Sequence, residues 1–397
     1  MKTAASALLV LALVVAGSGC GEDVPREKEV FTGVWAVFHG APHLDGFSSA
    51  TLGGQLTLAW RFKTGGAVHS SAAIAAGRVF VGSDDGNLYA LDLGTGREIW
   101  RFATADAVES SPALLGGMVF FGSADQHVYA VTADRGELVW KYETGAKILG
   151  GVNILPPGED AGEDAGKEAD GSAGEDGEAR ILACSYDNFL YCLSAATGDE
   201  IWQYEAESYI NGMAAVTEGM AVFGGCDALA HFVNVADGKS LACVDSGSYI
   251  AGSPACGGGR VFVGQHEGEF LCIDTTSKEV VWRYEGDGAF FSTAALGPDR
   301  VIVGSRDGSL HCLRRDDGGE LWTFQTEGDV DSSPVLAGER IVVGSGDGRL
   351  YVVNALDGRE VWSYEIGAAL TASPALADGR VVIGAEDGVV YGFRVSR

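Results

Sequence analysis

The stretch Ala90-Leu91-Asp92-Leu93-Gly94-Thr95-Gly96-Arg97-Glu98-Ile99-Trp100 decides how the chain is read. A β-prone run ends at Asp92, Thr95-Gly96 supply turn chemistry, and a second such run ends on an aromatic. That is a hairpin: two short strands around a tight turn. A small residue at Ala90 leaves room for the Trp100 ring to pack on the hairpin and reach a neighbouring sheet.

Outward from Trp100 the pattern recurs. Trp60, Trp100 and Trp140 are 40 residues apart, as are Trp282, Trp322 and Trp362. Trp140 to Trp202 is 62, one period plus an insertion of 22, and Trp202 to Trp282 is 80, two periods whose middle tryptophan has become Ala242. Glycines 22 residues after the tryptophan position (Gly82, Gly122, Gly224, Gly264, Gly304, Gly344 and Gly384) hold the register through that substitution, with Cys184 in the third unit. Within residues 101–140, Ser110 to Leu114, Met118 to Gly122, His127 to Val131 and Glu137 to Tyr142 read as four short strands bounded by Gly, Asp or Ser. Four strands per 40-residue unit make a propeller blade.

Seven complete units run from Trp60 to Trp362, and an eighth, Ala372 to Val395, has only three strands. Gln55 to Phe62 has the fourth-strand pattern with no blade before it. Pairing it beside Val389 to Phe393 closes the ring and removes the exposed edges. The expected fold is therefore all-β: an eight-bladed β-propeller of four-stranded antiparallel blades over residues 51–397, closed by its N-terminal strand on the C-terminal blade.

Residues 90–100 match, at every fixed position, the Ala-x-Asp-x-x-Thr-Gly-x-x-x-Trp motif of the quinoprotein, or PQQ-like, propeller repeat, and about residues 50–397 resemble that family. Cys192, Cys272 and Cys312 take the Ala90 position in other copies, which makes them core residues. Length, blade number and a cysteine near the N-terminus resemble the family's lipid-anchored BamB group. That resemblance implies a non-catalytic, protein-binding scaffold in the outer-membrane β-barrel assembly machinery. Other members are dehydrogenases using PQQ and a calcium ion, and the fold also serves cell-envelope sensors and adhesins.

The N-terminus supports export. Lys2 precedes the apolar run Ala4 to Ala16, too short to span a bilayer, and residues 1–19 read as a signal peptide. Gly17-Ser18-Gly19-Cys20 resembles a lipobox, making Cys20 the lipidation site and residues 20–50 a tether and N-terminal extension. Gly17 stands where lipoboxes usually carry Leu, so cleavage near Gly19 without lipidation is the alternative. Gly21 after Cys20 points to an outer-membrane lipoprotein facing the periplasm.

A formal charge of −28, with no basic patch, excludes phosphate-backbone binding, so no nucleic-acid partner is expected. Residues 156–179 hold nine acids and otherwise mainly Gly and Ala, and read as a disordered acidic loop inserted in blade 3. Its acid spacing lacks an EF-hand pattern, so no metal is assigned to it. An acid three residues after the repeat glycine position recurs in all eight units, from Asp85 to Asp387. Turn chemistry explains it, the carboxylate holding backbone N–H groups.

Chemistry on this frame belongs at the channel mouth, nine residues after each tryptophan position. His69, Glu109, Asn211, Asp331 and Thr371 are the polar residues there. Glu, Asn and Asp are hard oxygen ligands, but they come from separate blades. No cysteines are adjacent, and the chain lacks Cys-x-x-Cys-His, Gly-x-Ser-x-Gly and His-Glu-x-x-His motifs. No catalytic residue, cofactor or metal is assigned from sequence. The pairs Ser110-Ser111 and Ser332-Ser333 read as packing where inner strands crowd.

Overall fold

The computed structural model describes residues 33–49, 52–53, 55–156 and 178–395. The signal peptide, Cys20 and most of the acidic insertion lie outside the described residues.

Eight four-stranded antiparallel blades stand around one axis, seven with their strands in sequence order and the eighth completed by the N-terminal strand. Blade 1 is Ala73–Ala75, Arg78–Ser83, Asn87–Asp92 and Glu98–Ala103. Blade 3 carries the insertion between Val152–Leu155 and Arg180–Cys184, where Leu155 pairs with Arg180. Closure is as read from the sequence: Leu56–Lys63 pairs antiparallel with Val389–Val395, with Trp60 opposite Gly392 and Arg61 opposite Tyr391.

The tryptophan works between blades. Trp60 Nε1 donates to the Leu93 carbonyl at 2.9 Å and Trp202 Nε1 to that of Val235 at 3.0 Å, in each case the next blade's third-to-fourth-strand turn. The turn glycine does more than bend the chain. A Cβ on Gly96 would lie 2.5 Å from the Trp60 ring, so glycine also makes room for the preceding blade's indole. Inside the blade Ala90 pairs with Trp100, and Cys192, Cys272 and Cys312 pair likewise with Trp202, Trp282 and Trp322. These three thiols are buried, and burial pushes their pKa up to about 12.

Seven of the eight turn acids hold backbone as expected, and Glu267 of blade 5, with a longer side chain and Leu271 in place of the tyrosine, does not. Asp85 accepts from Gly65 N–H at 2.6 Å, Asn87 N–H at 3.1 Å and the Tyr89 hydroxyl at 2.7 Å. The Gly65 bond reaches the segment leading in from the preceding blade, so the carboxylate joins blades as well as closing its own turn.

The serine pairs do more than pack. They precede the first strands, and their hydroxyls join blades around the channel. Thr293 N–H donates to Ser333 Oγ at 2.9 Å, Ser333 N–H to Ser373 Oγ at 2.8 Å, Ser373 N–H to Ser71 Oγ at 2.9 Å, and Ser71 N–H to Ser111 Oγ at 3.0 Å. Gly151 and Met213 interrupt this belt in blades 3 and 4.

Within the stretch read as an N-terminal extension, residues 33–48 are folded and lie across one end of the channel. The innermost strands present free edges to the axis, and this segment satisfies those of blades 1, 2, 4, 5, 6 and 7 in turn. Trp35 bridges Ile74 in blade 1, the Ala36 carbonyl accepts from Leu114 N–H in blade 2, and the Pro42 carbonyl accepts from Asn153 Nδ2 in blade 3 and Val216 N–H in blade 4. His43, Asp45 and Gly46 carbonyls accept from Cys256, Leu296 and Leu336 in blades 5, 6 and 7, and Phe47–Ser48 adds a parallel strand to blade 7. Gly33 lies against Asp378 of blade 8. The ring of His39, 1% exposed, sits between the Leu44 and Pro334 carbonyls at 2.8 Å each.

Candidate functional site

The plug meets the inner strands at Ile74, Leu114, Val216, Cys256, Leu296 and Leu336. The mouth residues lie five positions earlier on the same chain runs, roughly 16 Å away at the rise of an extended strand. One end of the channel is therefore sealed by the chain itself. The opposite end is the candidate site.

Three positions per blade build this mouth. The backbone N–H two residues after each repeat glycine position donates to the carbonyl seven residues after the tryptophan position: Asp84 to Ala67 at 2.9 Å, Tyr186 to Lys147 at 3.1 Å, His266 to Tyr249 at 3.0 Å and Arg306 to Ala289 at 2.9 Å are four of the eight. These two positions flank the entry residue two beyond that carbonyl. Sequence reasoning found the entry residues and missed the other two positions, though both keep the same repeat register and the same offsets would have found them.

Of the sequence-selected residues, His69 and Thr371 come together across the closure between blades 8 and 1. His69 Nδ1 is 3.1 Å from Thr371 Oγ1, and Nε2 is 3.3 Å from Asp84 Oδ2. Burial raises the pKa of Asp84, against the opposing pull of His69. Burial likewise raises that of Glu109, and the charge on Asp84 adds to it. Asp331 and Thr371 share a cleft of about 390 Å³ between blades 7 and 8, with Asp329 and Glu386 on its wall. Asn211 stands apart from these, its Nδ2 3.0 Å from Cys226 Sγ.

The mouth is two-sided. Blades 7, 8, 1 and 2 bring Asp329, Asp331, Glu386, Asp84 and Glu109. Blades 3 to 6 bring aromatic and basic groups: Lys147 Nζ lies 4.8 Å over the Tyr186 ring, Tyr186 stacks on Tyr209 at 5.5 Å, and Tyr249 stacks on His266 at 4.3 Å. Arg306 covers Phe291 at 3.9 Å and forks onto Asp331 at 2.9 and 2.8 Å, where the two arcs meet. Tyr209 is 53% exposed.

A calcium-held quinone would need hard oxygen donors converging over the channel. The residues present do not fit one. Asp331 is taken by Arg306, Asn211 faces Cys226, and among the described residues no group of three or more His, Cys, Asp or Glu is arranged to hold a metal ion.

The family model described as outer membrane protein assembly factor BamB matches residues 52–163, 227–311 and 293–397. Among solved structures, BamB from Moraxella catarrhalis is similar at 19% identity, covering 85% of this chain and 99% of that one, with a TM-score of 0.68. The quinohemoprotein alcohol dehydrogenase ADHIIG from Pseudomonas putida HK5 is similar at 13% identity, covering 91% and 80%, with a TM-score of 0.74. The computationally designed Ika8 protein is similar at 16% identity, covering 86% and 100%, with a TM-score of 0.70. None of the curated proteins matches. At these identities the structures establish the fold, and the enzyme and the assembly factor share it.

Proposed function

The chain belongs to the family of the outer membrane protein assembly factor BamB, and from that premise we propose that it is a non-catalytic scaffold that engages the β-barrel assembly machinery through its channel mouth. The observation that carries this reading is the one-sided aromatic and basic arc of blades 3 to 6 on a rigid ring. Tyrosine and arginine supply contact energy with little entropy to lose, and a fixed frame lowers the cost of binding.

The plug gives the molecule a direction. Gly33 joins the body beside Asp378, at the end remote from the mouth. Once a signal peptide over residues 1–19 is cleaved, a lipid on Cys20 would tether the protein from that end, as an outer-membrane lipoprotein whose mouth faces the periplasm. Among the described residues, the engagement of Asp331 by Arg306 and of Asn211 by Cys226 favours this role over a PQQ- and calcium-dependent dehydrogenase.

Affinity capture of the full chain from native membranes, read by mass spectrometry, tests the role. Recovery of β-barrel assembly proteins, lost in a Tyr209→Ala, Tyr249→Ala double variant that remains folded, is the expected outcome. Recovery of only unrelated partners overturns the assembly role. Dye reduction after reconstitution with PQQ and calcium overturns the non-catalytic one.

A further inference from the structure

Besides Ala242, blade 4 departs from the repeat on its third strand. In blades 1, 2, 3, 7 and 8 the third strand carries a tyrosine whose hydroxyl donates to the turn aspartate four residues earlier, as Tyr129 does to Asp125 at 2.7 Å. Blade 4 has His231 there, with Nε2 2.9 Å from Asp227 Oδ2 and the two side chains 2% and 4% exposed. Opposite His231 on the fourth strand stands Cys243, exposed, its Sγ 3.5 Å from Nδ1.

The His–Asp pair alone is a turn device, since His311 and Asp307 make it at 3.0 Å in blade 6 opposite Thr323. What blade 4 adds is a thiol. The cross-strand position holds Arg101, Lys141 and Gln203 in blades 1 to 3, so only here does the ring line up thiol, imidazole and carboxylate. Cys243 is also the one exposed cysteine among the described residues.

We propose that Cys243 is a reactive thiol that exchanges with low-molecular-weight disulfides, with His231 as its general base and Asp227 as the residue that positions the ring. The Nε2–H held by Asp227 leaves Nδ1 as an acceptor shared by the Tyr204 hydroxyl at 3.1 Å and the sulfur at 3.5 Å, and it takes the thiol proton when Tyr204 turns its O–H away. The Sγ proton passes to Nδ1, and the resulting thiolate is faced by Nδ1–H, by the Tyr204 hydroxyl at 3.8 Å and by the Ser240 hydroxyl at 3.9 Å. Sγ attacks one sulfur of the disulfide, so one S–S bond forms as the other breaks. The departing thiolate takes the proton from Nδ1. The products are a mixed disulfide on Cys243 and one free thiol: Cys243 is oxidised and half of the disulfide is reduced. The buried Asp–His couple holds its geometry while the sulfur stays open to solvent.

The test uses the full chain and the chromogenic disulfide DTNB, with Cys243→Ser defining the background. A Cys243 phase about tenfold or more faster than free glutathione at pH 7 is expected. His231→Tyr restores the residue found at this position in five other blades, with its bond to the turn aspartate, and slows that phase about tenfold or more at unchanged thermal stability. Asp227→Asn removes the negative charge beside the imidazole and moves the midpoint of the rate–pH profile downward, which a purely structural role would not do; Tyr204, Asp227 and Cys243 are the titratable groups facing His231. Oxidised glutathione leaves its mixed disulfide on Cys243 by mass spectrometry. A Cys243 phase no faster than free glutathione, or unchanged kinetics in both His231→Tyr and Asp227→Asn, overturns the proposal.

Discussion

Lys278 fills the space that Ala242 leaves. Ala242 stands in the tryptophan register of blade 4, and Lys278 stands 36 residues on, in the register where Gly96 follows Trp60. Where the tryptophan is present, a Cβ on that glycine would lie 2.5 to 2.8 Å from the ring, as at Gly96 with Trp60 and Gly238 with Trp202. Without the indole, Lys278 keeps the left-handed turn (φ 61°) and lays its chain over Phe232, Nζ 4.7 Å from the ring. Phe232 is the residue that pairs with Ala242. Burial lowers the Lys278 pKa.

The pair should therefore behave as a unit. Ala242→Trp alone overpacks the interface against Lys278 and costs about 1–3 kcal/mol. Combining it with Lys278→Gly recovers most of that loss, a coupling of about 1 kcal/mol or more. Thermal denaturation of the four proteins measures it, and additive effects would contradict the exchange of indole for lysine.

Asp85 closes its own turn and ties in the preceding blade. Asp85→Ala strands the Gly65 and Asn87 N–H groups and the Tyr89 hydroxyl, and should cost about 1–3 kcal/mol. Glu267, whose blade has Leu271 where others have tyrosine or histidine, makes no such set of bonds, so Glu267→Ala should move the melting temperature far less. Equal losses would show that the acid acts through something other than these bonds.

Closure and plug should separate by truncation. A chain starting at residue 51 keeps the closing strand and loses the plug; it should remain a folded monomer with a lower melting temperature, since inner-strand N–H groups then face channel water. A chain starting at residue 65 also loses Trp60 and the outer strand of blade 8, and should aggregate through the bared edge. Size-exclusion chromatography with light scattering distinguishes the two.

Alkali should unlatch the turns. Burial first, and the aspartate bond second, push the Tyr89 and Tyr391 hydroxyls up to about 12. A raised pKa means that the folded state holds this proton more tightly than the unfolded chain. The resulting stability is complete below about pH 10 and is lost as pH rises from there towards 12. Melting temperature against pH should fall across that window, and less steeply in Tyr391→Phe. An identical slope in the variant would place the alkaline loss elsewhere.

The ring was legible because it is written eight times. One hairpin, Ala90 to Trp100, set the period, and Gly224 and Gly264 kept the register where Ala242 had erased its tryptophan. The incomplete last unit and the unpartnered strand at Trp60 implied each other. The mouth was half legible: His69 and Asp331 were found by register, while Tyr186, Tyr249 and Arg306 were not, although they sit at equally regular offsets.

What the amino-acid sequence determined by itself was the blade, its number and its closure, because local turn chemistry and hairpin pairing act within about 40 residues and repeat. What only the tertiary structure decided were the contacts without a period. The circuit of residues 33–48 depends on edge N–H groups contributed by separate blades. The two-sided mouth arises from bending eight dissimilar trios into a circle, and the approach of Cys243 to His231 depends on strand register and burial. Spacing along a chain carries no information about which side of a ring two residues will share.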